Sequence, residues 1–484
     1  MLGAPATHYV DLNSPAPNSP YADWSTAATN IQDAIDVADP ADLVLVTNGL
    51  YQTGGAMGTP HFDGLASNRV AVTKPLTIQS VNGPAATAIM GSHGNSRLGI
   101  PYVRCVFLTN GAALIGFTLT NGAVSTSSGA GVCADNYPLS LLPTTATVSN
   151  CVLIGNSAYA LGGAAYGVTL NGCVLTANSA RSGGGASSCT LINCTLSNNS
   201  ATGNGSDPGF SSGSGGGAYQ CSLYNCLIVG NSAFHGGGAS GSSLNNCTIV
   251  SNTAASSGGA YADKAVTLTN CILFYNSATN GPNYLPGPSF SHCCTTPLPA
   301  GPGNFTNEPV FLNPAAGDFH LQTNSPCINA GINSAVSSTT DLDGNPRIAG
   351  GTVDIGAYEL QAPASTISYV WLQQYGLPTD GTADSLDTDG DGMTNWQEWR
   401  AGTNPTNALS VLRITPVSAR GAVATLRWPS VSGITYSLER STNLMVQPAF
   451  LPVQTNIAGT GGQITISDTN STPSAPAFYR LSVQ

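Results

Sequence analysis

One phrase recurs six times in the middle of this chain: Cys, any residue, Leu or Ile, two more residues, then Asn. It begins at Cys151, Cys173, Cys194, Cys226, Cys247 and Cys271, and its Asn falls at Asn156, Asn178, Asn199, Asn231, Asn252 and Asn276. Ser or Thr follows every such Asn, and then Ala. With Cys294 continuing the series, the intervals are 22, 21, 32, 21, 24 and 23 residues. Gly-Gly-Ala elements recur between them, at Gly162, Gly184, Gly216, Gly237 and Gly258. A period of this length means one supersecondary unit per repeat, stacked on its neighbours. Leucine-rich repeats need a Leu-Asn spacing that is absent, and helical repeats are longer and poorer in Gly.

A right-handed parallel β-helix accounts for all three features. Each coil contributes short strands, and coils stack about 4.8 Å apart, so equivalent residues form columns. Stacked Cys and Leu/Ile fill a narrow dry core, where a thiol acts as a small hydrophobe. Stacked Asn residues pass amide hydrogen bonds along the axis, and Gly supplies backbone angles closed to other residues. The 32-residue interval places about ten extra residues, within 201–214, in a loop on one face. In-register thiols point the same way and lack the twist of a disulfide, so the ladder is expected to stay reduced. A staple from Cys294, or Cys293, to Cys327 is expected at the last coil.

Toward the N-terminus, Ile31, Ala34, Ile35 and Ala38 share one helical face behind a polar cap, which predicts a capping helix over about 29–38. Residues 43–46, 76–80, 105–108 and 114–120 read as strands. The domain plan is a β-helix over 1–360, with regular coils at 145–295 and final coils at 296–360. A linker follows at 361–368, then a calcium segment at 369–408. The all-β chain closes with a small β-sandwich at 409–484, where 422–428, 435–439, 463–467 and 478–483 alternate and Trp428 is a core candidate. That module is expected to act as a spacer or sorting element.

Charged residues make up only 8% of the chain and sum to −11. Nucleic acid and anionic membranes, which need basic patches, are excluded as partners. No apolar run of membrane-spanning length exists. The opening Met1-Leu2-Gly3-Ala4-Pro5-Ala6 is too short for a secretory signal, so a removed leader is expected.

The sharpest chemical signal is Asp387-Thr388-Asp389-Gly390-Asp391-Gly392-Met393-Thr394-Asn395-Trp396-Gln397-Glu398. Asp387, Asp389, Asp391, Asn395 and Glu398 stand at positions 1, 3, 5, 9 and 12 of a loop with Gly at 6. Met393 offers its carbonyl at position 7. Hard Ca²⁺ takes six or more oxygens in this spacing. A structural ion is expected, stiffening a hinge, with a helix from Thr394 and another over 369–375.

Catalysis on polysaccharides needs a base or clustered carboxylates. Between Cys151 and Ser291 the charged residues are Arg181, Asp207, Asp263 and Lys264, beside His235, and they do not recur at coil spacing. Two richer regions remain. His61, Asp63, Arg69, Lys74, His93, Arg97, Tyr102 and Arg104 sit in or beside loops. Of these, His61, Asp63, Arg69, His93 and Tyr102 are candidate glycan ligands, and Arg97 and Arg104 are candidate catalytic groups. The second region holds Asp341, Asp343, Arg347, Asp354 and Glu359. Asp341, Asp343 and Arg347 are catalytic candidates there, against a structural network or a second calcium. His8, His292 and His320 read as isolated.

Residues 8–360 resemble bacterial β-helix proteins of the pectate-lyase-like superfamily. Ser325-Pro326-Cys327-Ile328-Asn329-Ala330-Gly331, then Asp341-Leu342-Asp343-Gly344-Asn345-Pro346-Arg347 and Asp354-Ile355-Gly356-Ala357-Tyr358-Glu359, are similar to the choice-of-anchor Q pattern. Residues 387–405 resemble EF-hand-like loops and bacterial thrombospondin type 3 repeats. These resemblances imply a secreted or cell-surface protein; polysaccharide or surface glycan is the expected partner and a monomer the expected state. They do not imply a reaction, because the superfamily holds lyases and glycosidases beside adhesins. Non-catalytic adhesion is the leading expectation. A lyase or glycosidase using loops near the helix ends is the alternative, and a self-assembling subunit the third reading.

Overall fold

A computed structural model describes residues 4–57, 66–95, 99–134, 145–203, 213–262, 266–420, 423–470 and 477–483. The chain divides into two compact units, Met1–Gln361 and Ala362–Gln484.

The first unit is a right-handed parallel β-helix with four strands per coil. One coil shows the plan: Thr147–Ser149, Val152–Ile154, Ser157–Ala158 and Ala165–Tyr166. Equivalent strands of successive coils pair in parallel, building stacks of 11, 10 and 7 strands and a fourth sheet of 10 that includes two antiparallel strands, Ala56–Met57 and Ser92–Asn95. The central residue of the first strand, from Leu114 through Val148, Leu170, Leu191, Leu223, Leu244 and Leu268, points inward and is buried.

Corners between strands demand left-handed backbone, and the sequence supplies it. Asn150, Asn193, Asn225, Asn246 and Asn270 each precede a ladder cysteine with φ between 51° and 53°. Asn tolerates that region better than any other non-Gly residue type of its size. The thiol then folds back on the corner: Cys194 Sγ donates to Ile192 O at 3.2 Å and Cys271 Sγ to Thr269 O at 3.2 Å. At the opposite corner, Gly183 has φ +64°, and a Cβ on Gly184 would lie 2.4 Å from Ser200 O. No larger residue fits there without moving backbone.

The Asn column behaves as a hydrogen-bonded rail. Asn156 Nδ2 donates to Asn178 Oδ1 at 3.0 Å, Asn178 to Asn199 at 2.9 Å, Asn199 to Asn231 at 3.0 Å, Asn231 to Asn252 at 2.9 Å and Asn252 to Asn276 at 3.0 Å. Each Oδ1 also accepts the backbone N–H of the preceding Asn, as Asn199 Oδ1 does from Asn178 N at 3.0 Å. Asn283, outside the phrase, ends the rail by accepting from Asn276 Nδ2 at 3.1 Å.

At the N-terminal end, helix α1 (Ile31–Val37) starts at an Asn30 cap and buries Ile31, Gln32, Ala34 and Ile35. Gln32 imitates a strand: Oε1 accepts Ala71 N at 2.8 Å and Nε2 donates to Ala71 O at 3.2 Å. The expected strand at 114–120 is two strands, Ala113–Ile115 and Thr118–Thr120, with Gly116 at φ +79° between them. The insertion expected within 201–214 falls largely outside the described residues.

The C-terminal end departs from expectation in two ways. First, Cys293 and not Cys294 continues the ladder. Ile272 pairs with Cys294, which sets Cys271 level with Cys293, and His292 supplies the corner at φ 51°. Second, 296–360 does not form further coils. After Ser289–Ser291 and Cys294–Thr295 comes an antiparallel hairpin, Phe311–Asn313 with Asp318–Leu321. Residues 325–360 then turn back as a strap along the outside of the coils. Asn270 Nδ2 donates to Ile332 O at 3.1 Å, Asn245 Nδ2 to Ala335 O at 2.6 Å and Asn225 Nδ2 to Thr340 O at 2.9 Å, so the strap retraces three coils. Corner residues Asn225 and Asn270 and the strand residue Asn245 provide its docking rail.

The second unit carries helix α2 (Tyr369–Gln374), helix α3 (Asn395–Ala401) and two three-stranded antiparallel sheets. Strands Thr415–Arg420 and Leu451–Ala458 add to those expected from the sequence. Trp428, Tyr436 and Leu438 are fully buried between the sheets.

Candidate metal centre

The loop before α3 folds around its own acidic side chains. Asp387 Oδ1 accepts Gly390 N at 2.8 Å and Asp387 Oδ2 accepts Gly392 N at 2.9 Å, which curls the loop. Asp389 Oδ1 takes Asp391 N at 3.2 Å, and Asp391 Oδ1 takes Met393 N at 2.8 Å. Carboxylate oxygens of Asp387, Asp389 and Asp391 lie within 4.8 Å of one another. Thr394 and Gln397 close a reciprocal capping box, so α3 starts rigidly and carries Asn395 and Glu398 to the loop.

Asp389, Asp391, Asn395 and Glu398 each spend one polar atom on the protein and leave another unspent. Asn395 Nδ2 donates to Ala383 O at 2.8 Å, and Glu398 Oε1 accepts from Thr403 Oγ1 at 3.2 Å. Asp389 Oδ2, Asp391 Oδ2, Asn395 Oδ1 and Glu398 Oε2 are buried without a hydrogen-bond partner. Buried polar atoms are almost always paired, so four orphaned oxygens from one loop form an oxygen-donor cradle. Burial, followed by the charge of Asp389, raises the Glu398 carboxyl to about 7, with Asp391 and Asp387 adding to the rise and Thr403 opposing it. A hard divalent cation relieves that repulsion and takes the free lone pairs.

The other candidate residues fare differently. His61, Asp63 and Arg97 lie outside the described residues. Arg104 is buried: Nε donates to Gly129 O at 2.8 Å, Nη1 to Asn68 Oδ1 at 2.8 Å, and Nη2 to Ser127 Oγ at 2.8 Å and Ser128 O at 3.0 Å. Arg69 spends Nε on Met90 O at 2.9 Å and Nη1 on Gly54 O at 2.5 Å. Both guanidiniums tie strands together. His93 and Tyr102 face each other across an antiparallel pair and are exposed.

In the strap, Asp341 and Arg347 are both 1% exposed. Asp341 Oδ1 accepts Asn345 N at 2.9 Å and Asp343 N at 3.1 Å, and its Oδ2 accepts Glu359 N at 3.1 Å. Arg347 Nη2 donates to Asp354 O at 3.0 Å and Gly356 O at 2.6 Å, and Nη1 lies 3.4 Å from Glu359 Oε2. Glu359 and Asp354 also accept backbone N–H groups, from Ala349 at 2.8 Å and Asn329 at 2.8 Å. Arg347 thus neutralises a folded-in acidic turn, with no open face for a substrate.

Two histidines read as isolated are paired. His8 Nε2 contacts Asp42 Oδ2 at 3.0 Å in a buried position, and His320 sits between Asp318 and Asp343. The 23 residues from His320 to Asp343 hid that contact from sequence inspection. A second, shorter thiol column at Cys189 and Cys221 was likewise missed; its signal is the αL residue before each, Ser188 and Gln220.

The family model for the bacterial TSP3 repeat matches residues 387–408. No curated protein matches the chain. Among solved structures, pectate lyase Pel9A is 14% identical, covering 74% of this chain and 97% of its own, with a TM-score of 0.40. A rhamnogalacturonan lyase is 15% identical, covering 61% and 65%, with a TM-score of 0.27. The Dettilon tailspike protein is 10% identical, covering 99% and 94%, with a TM-score of 0.33.

Proposed function

We propose that this chain is an extracellular or cell-surface protein whose β-helix is a non-catalytic scaffold for adhesion or glycan contact, and whose 387–398 loop holds a structural Ca²⁺. The four orphaned buried oxygens at that loop carry the metal assignment. Asp387, Asp389, Asp391, Asn395 and Glu398 supply side-chain oxygens, and Met393 its carbonyl, which is an all-oxygen set suited to Ca²⁺. The ion supplies charge neutralisation there and takes no part in bond chemistry.

The scaffold reading rests on how the guanidiniums and carboxylates of the richer regions are used. Arg104 and Arg347 are enclosed by carbonyl oxygens, and Asp341 is filled by backbone N–H groups. A lyase base or a glycosidase acid needs reach to a substrate atom. The exposed His93–Tyr102 pair is the place where a glycan has an aromatic and a polar group to meet.

Incubation with a panel of acidic and neutral polysaccharides tests this. Retention of a glycan without new reducing ends or unsaturated products is the expected result. Turnover would replace it with the lyase or glycosidase reading. Titration calorimetry with CaCl₂ tests the metal assignment separately, and absence of a binding heat together with an unchanged melting profile would overturn it.

A further inference from the structure

Cys293 and Cys294 are adjacent in sequence where the strand Cys294–Thr295 begins, and their side chains take opposite sides of the sheet. Cys293 points into the core, where its Sγ donates to Ser291 O at 3.4 Å and Leu268 O at 3.5 Å. Cys294 points outward, in the column that Thr248 and Ile272 occupy on the preceding coils. The strap covers that column. Ala357 N donates to Thr248 Oγ1 at 3.0 Å, and a Cβ on Gly356 would stand 2.8 Å from Ile272 Cδ1. Cys327 belongs to this cover, held by Ile355 N donating to its carbonyl at 2.9 Å and Ser325 Oγ accepting its N–H at 3.2 Å. Cys294 Sγ donates to Asn307 O at 3.1 Å, Cys327 of the strap is its neighbour, and both residues are completely buried.

Ladder thiols touch one another too, but from equivalent positions of parallel strands, with their Cβ atoms projecting the same way. A disulfide requires the two Cβ–S bonds to turn about 90° across the bond. Cys294 and Cys327 approach from opposing layers, one from the coil and one from the strap, and are not held in parallel register as the ladder thiols are.

We propose that Cys294 and Cys327 form a disulfide when the chain folds in oxidising surroundings, while the ladder thiols stay reduced, and that this bond rivets the strap to the last coil. A small-molecule disulfide is the oxidant. One thiolate attacks it and expels a thiolate; the second cysteine thiolate then attacks the mixed disulfide and expels the other. Two protons leave the cysteines and two electrons reduce the oxidant to two thiols. Both sulfurs are inaccessible once the strap has docked, so the bond forms during folding and slowly, or not at all, in the folded reduced protein.

The whole chain, refolded with oxidised and reduced glutathione, is denatured without reductant, alkylated and analysed by intact mass and peptide mapping. All but two of the thirteen cysteines are expected to alkylate, with one cross-linked peptide pair joining Cys294 to Cys327. Cys327→Ser is expected to lose the cross-link and to lose the protease resistance of the strap that distinguishes oxidised from reduced wild-type protein. Alkylation of all thirteen, or a cross-link through any ladder cysteine, would overturn the proposal. The mapping is read on wild-type protein, so it stands even if the variant folds poorly, and its outcome is independent of the glycan and calcium readings.

Discussion

His320 Nε2 lies 2.6 Å from Asp343 Oδ2, joining the hairpin after the last coil to the strap. Its Nδ1 is 2.6 Å from Asp318 Oδ1, and Tyr358 stacks at 4.1 Å between ring centroids. Ionised carboxylates only accept hydrogen bonds, so the pair on either side of the ring favours the imidazolium form, in which both nitrogens donate. Burial opposes the charge, but Asp343 and Asp318 overcome it and raise the His320 pKa.

A raised histidine pKa gives stability that is complete below the unfolded value of about 6.5 and is lost as pH rises through the folded value. Asp318, whose pKa is lowered first of all by the His320 hydrogen bond, adds stability that disappears in acid. The clasp is therefore strongest in the mildly acidic window between the two. The side chains are 44%, 35% and 42% exposed, so solvent screening limits the effect to below about 1 kcal/mol. Amide exchange over 341–347 should quicken from mildly acidic to neutral pH, and His320→Gln should flatten that dependence.

Calcium should raise the melting temperature of the 362–484 unit. With Kd near ~1 mM, as in extracellular modules, ~10 mM calcium contributes ~1.4 kcal/mol by mass action. Asp391→Ala should abolish the response, and differential scanning calorimetry with calcium against chelator measures it. An equal calcium shift in that variant would place the ion elsewhere.

Asn199→Ala should cost ~3 kcal/mol or more. It removes four hydrogen bonds from the fully buried rail, to Asn178 N, Asn178 Nδ2, Leu175 O and Asn231 Oδ1; Asn178 Nδ2 keeps Leu153 O and Asn231 Oδ1 keeps Asn199 N, so each lost bond costs ~0.5–1.5 kcal/mol and the orphaned Asn178 N–H more. Denaturant unfolding followed by amide exchange should place the loss in the coils on either side. A cost below about 1 kcal/mol would show that water or backbone shifts replace the rail.

Arg347→Met should destabilise the strap by ~3–5 kcal/mol above about pH 8, where Asp354 and Glu359 are ionised and lose their cation. Burial raises the Asp354 carboxyl to about 7 and the Glu359 carboxyl to about 8, even with Arg347 beside them. Groups raised this way are protonated preferentially in the folded state, so stability falls as pH climbs from the ordinary carboxylate range through those values. The variant should recover in acid, as read by protease resistance of 325–360 against pH.

The ladder, rail and Gly-Gly corners were legible because stacking makes each column a sequence period. The calcium loop was legible because its donors are local, within twelve residues and one helix turn. Cys294 was misplaced by spacing alone: the corner residue before the cysteine, Asn270 on one coil and His292 on the next, marks the register better than the interval does. Asp341 and Arg347 were legible as members of a structural network, but sequence carries no sign that the strap folds their charges inward. Arg104 was misread for the same reason, its acceptors Asn68, Ser127, Ser128 and Gly129 being 23 to 36 residues away.

By itself, the sequence determined the coil: a repeat constrains every residue to its neighbour one period away, so the periodic part of the fold is encoded locally. The tertiary structure alone decided where 325–360 went. That segment has no period. Its course follows the outward side chains of the coils that bond to it, Asn225, Asn245, Asn270 and Thr248, and the burial of Arg347 among its carboxylates.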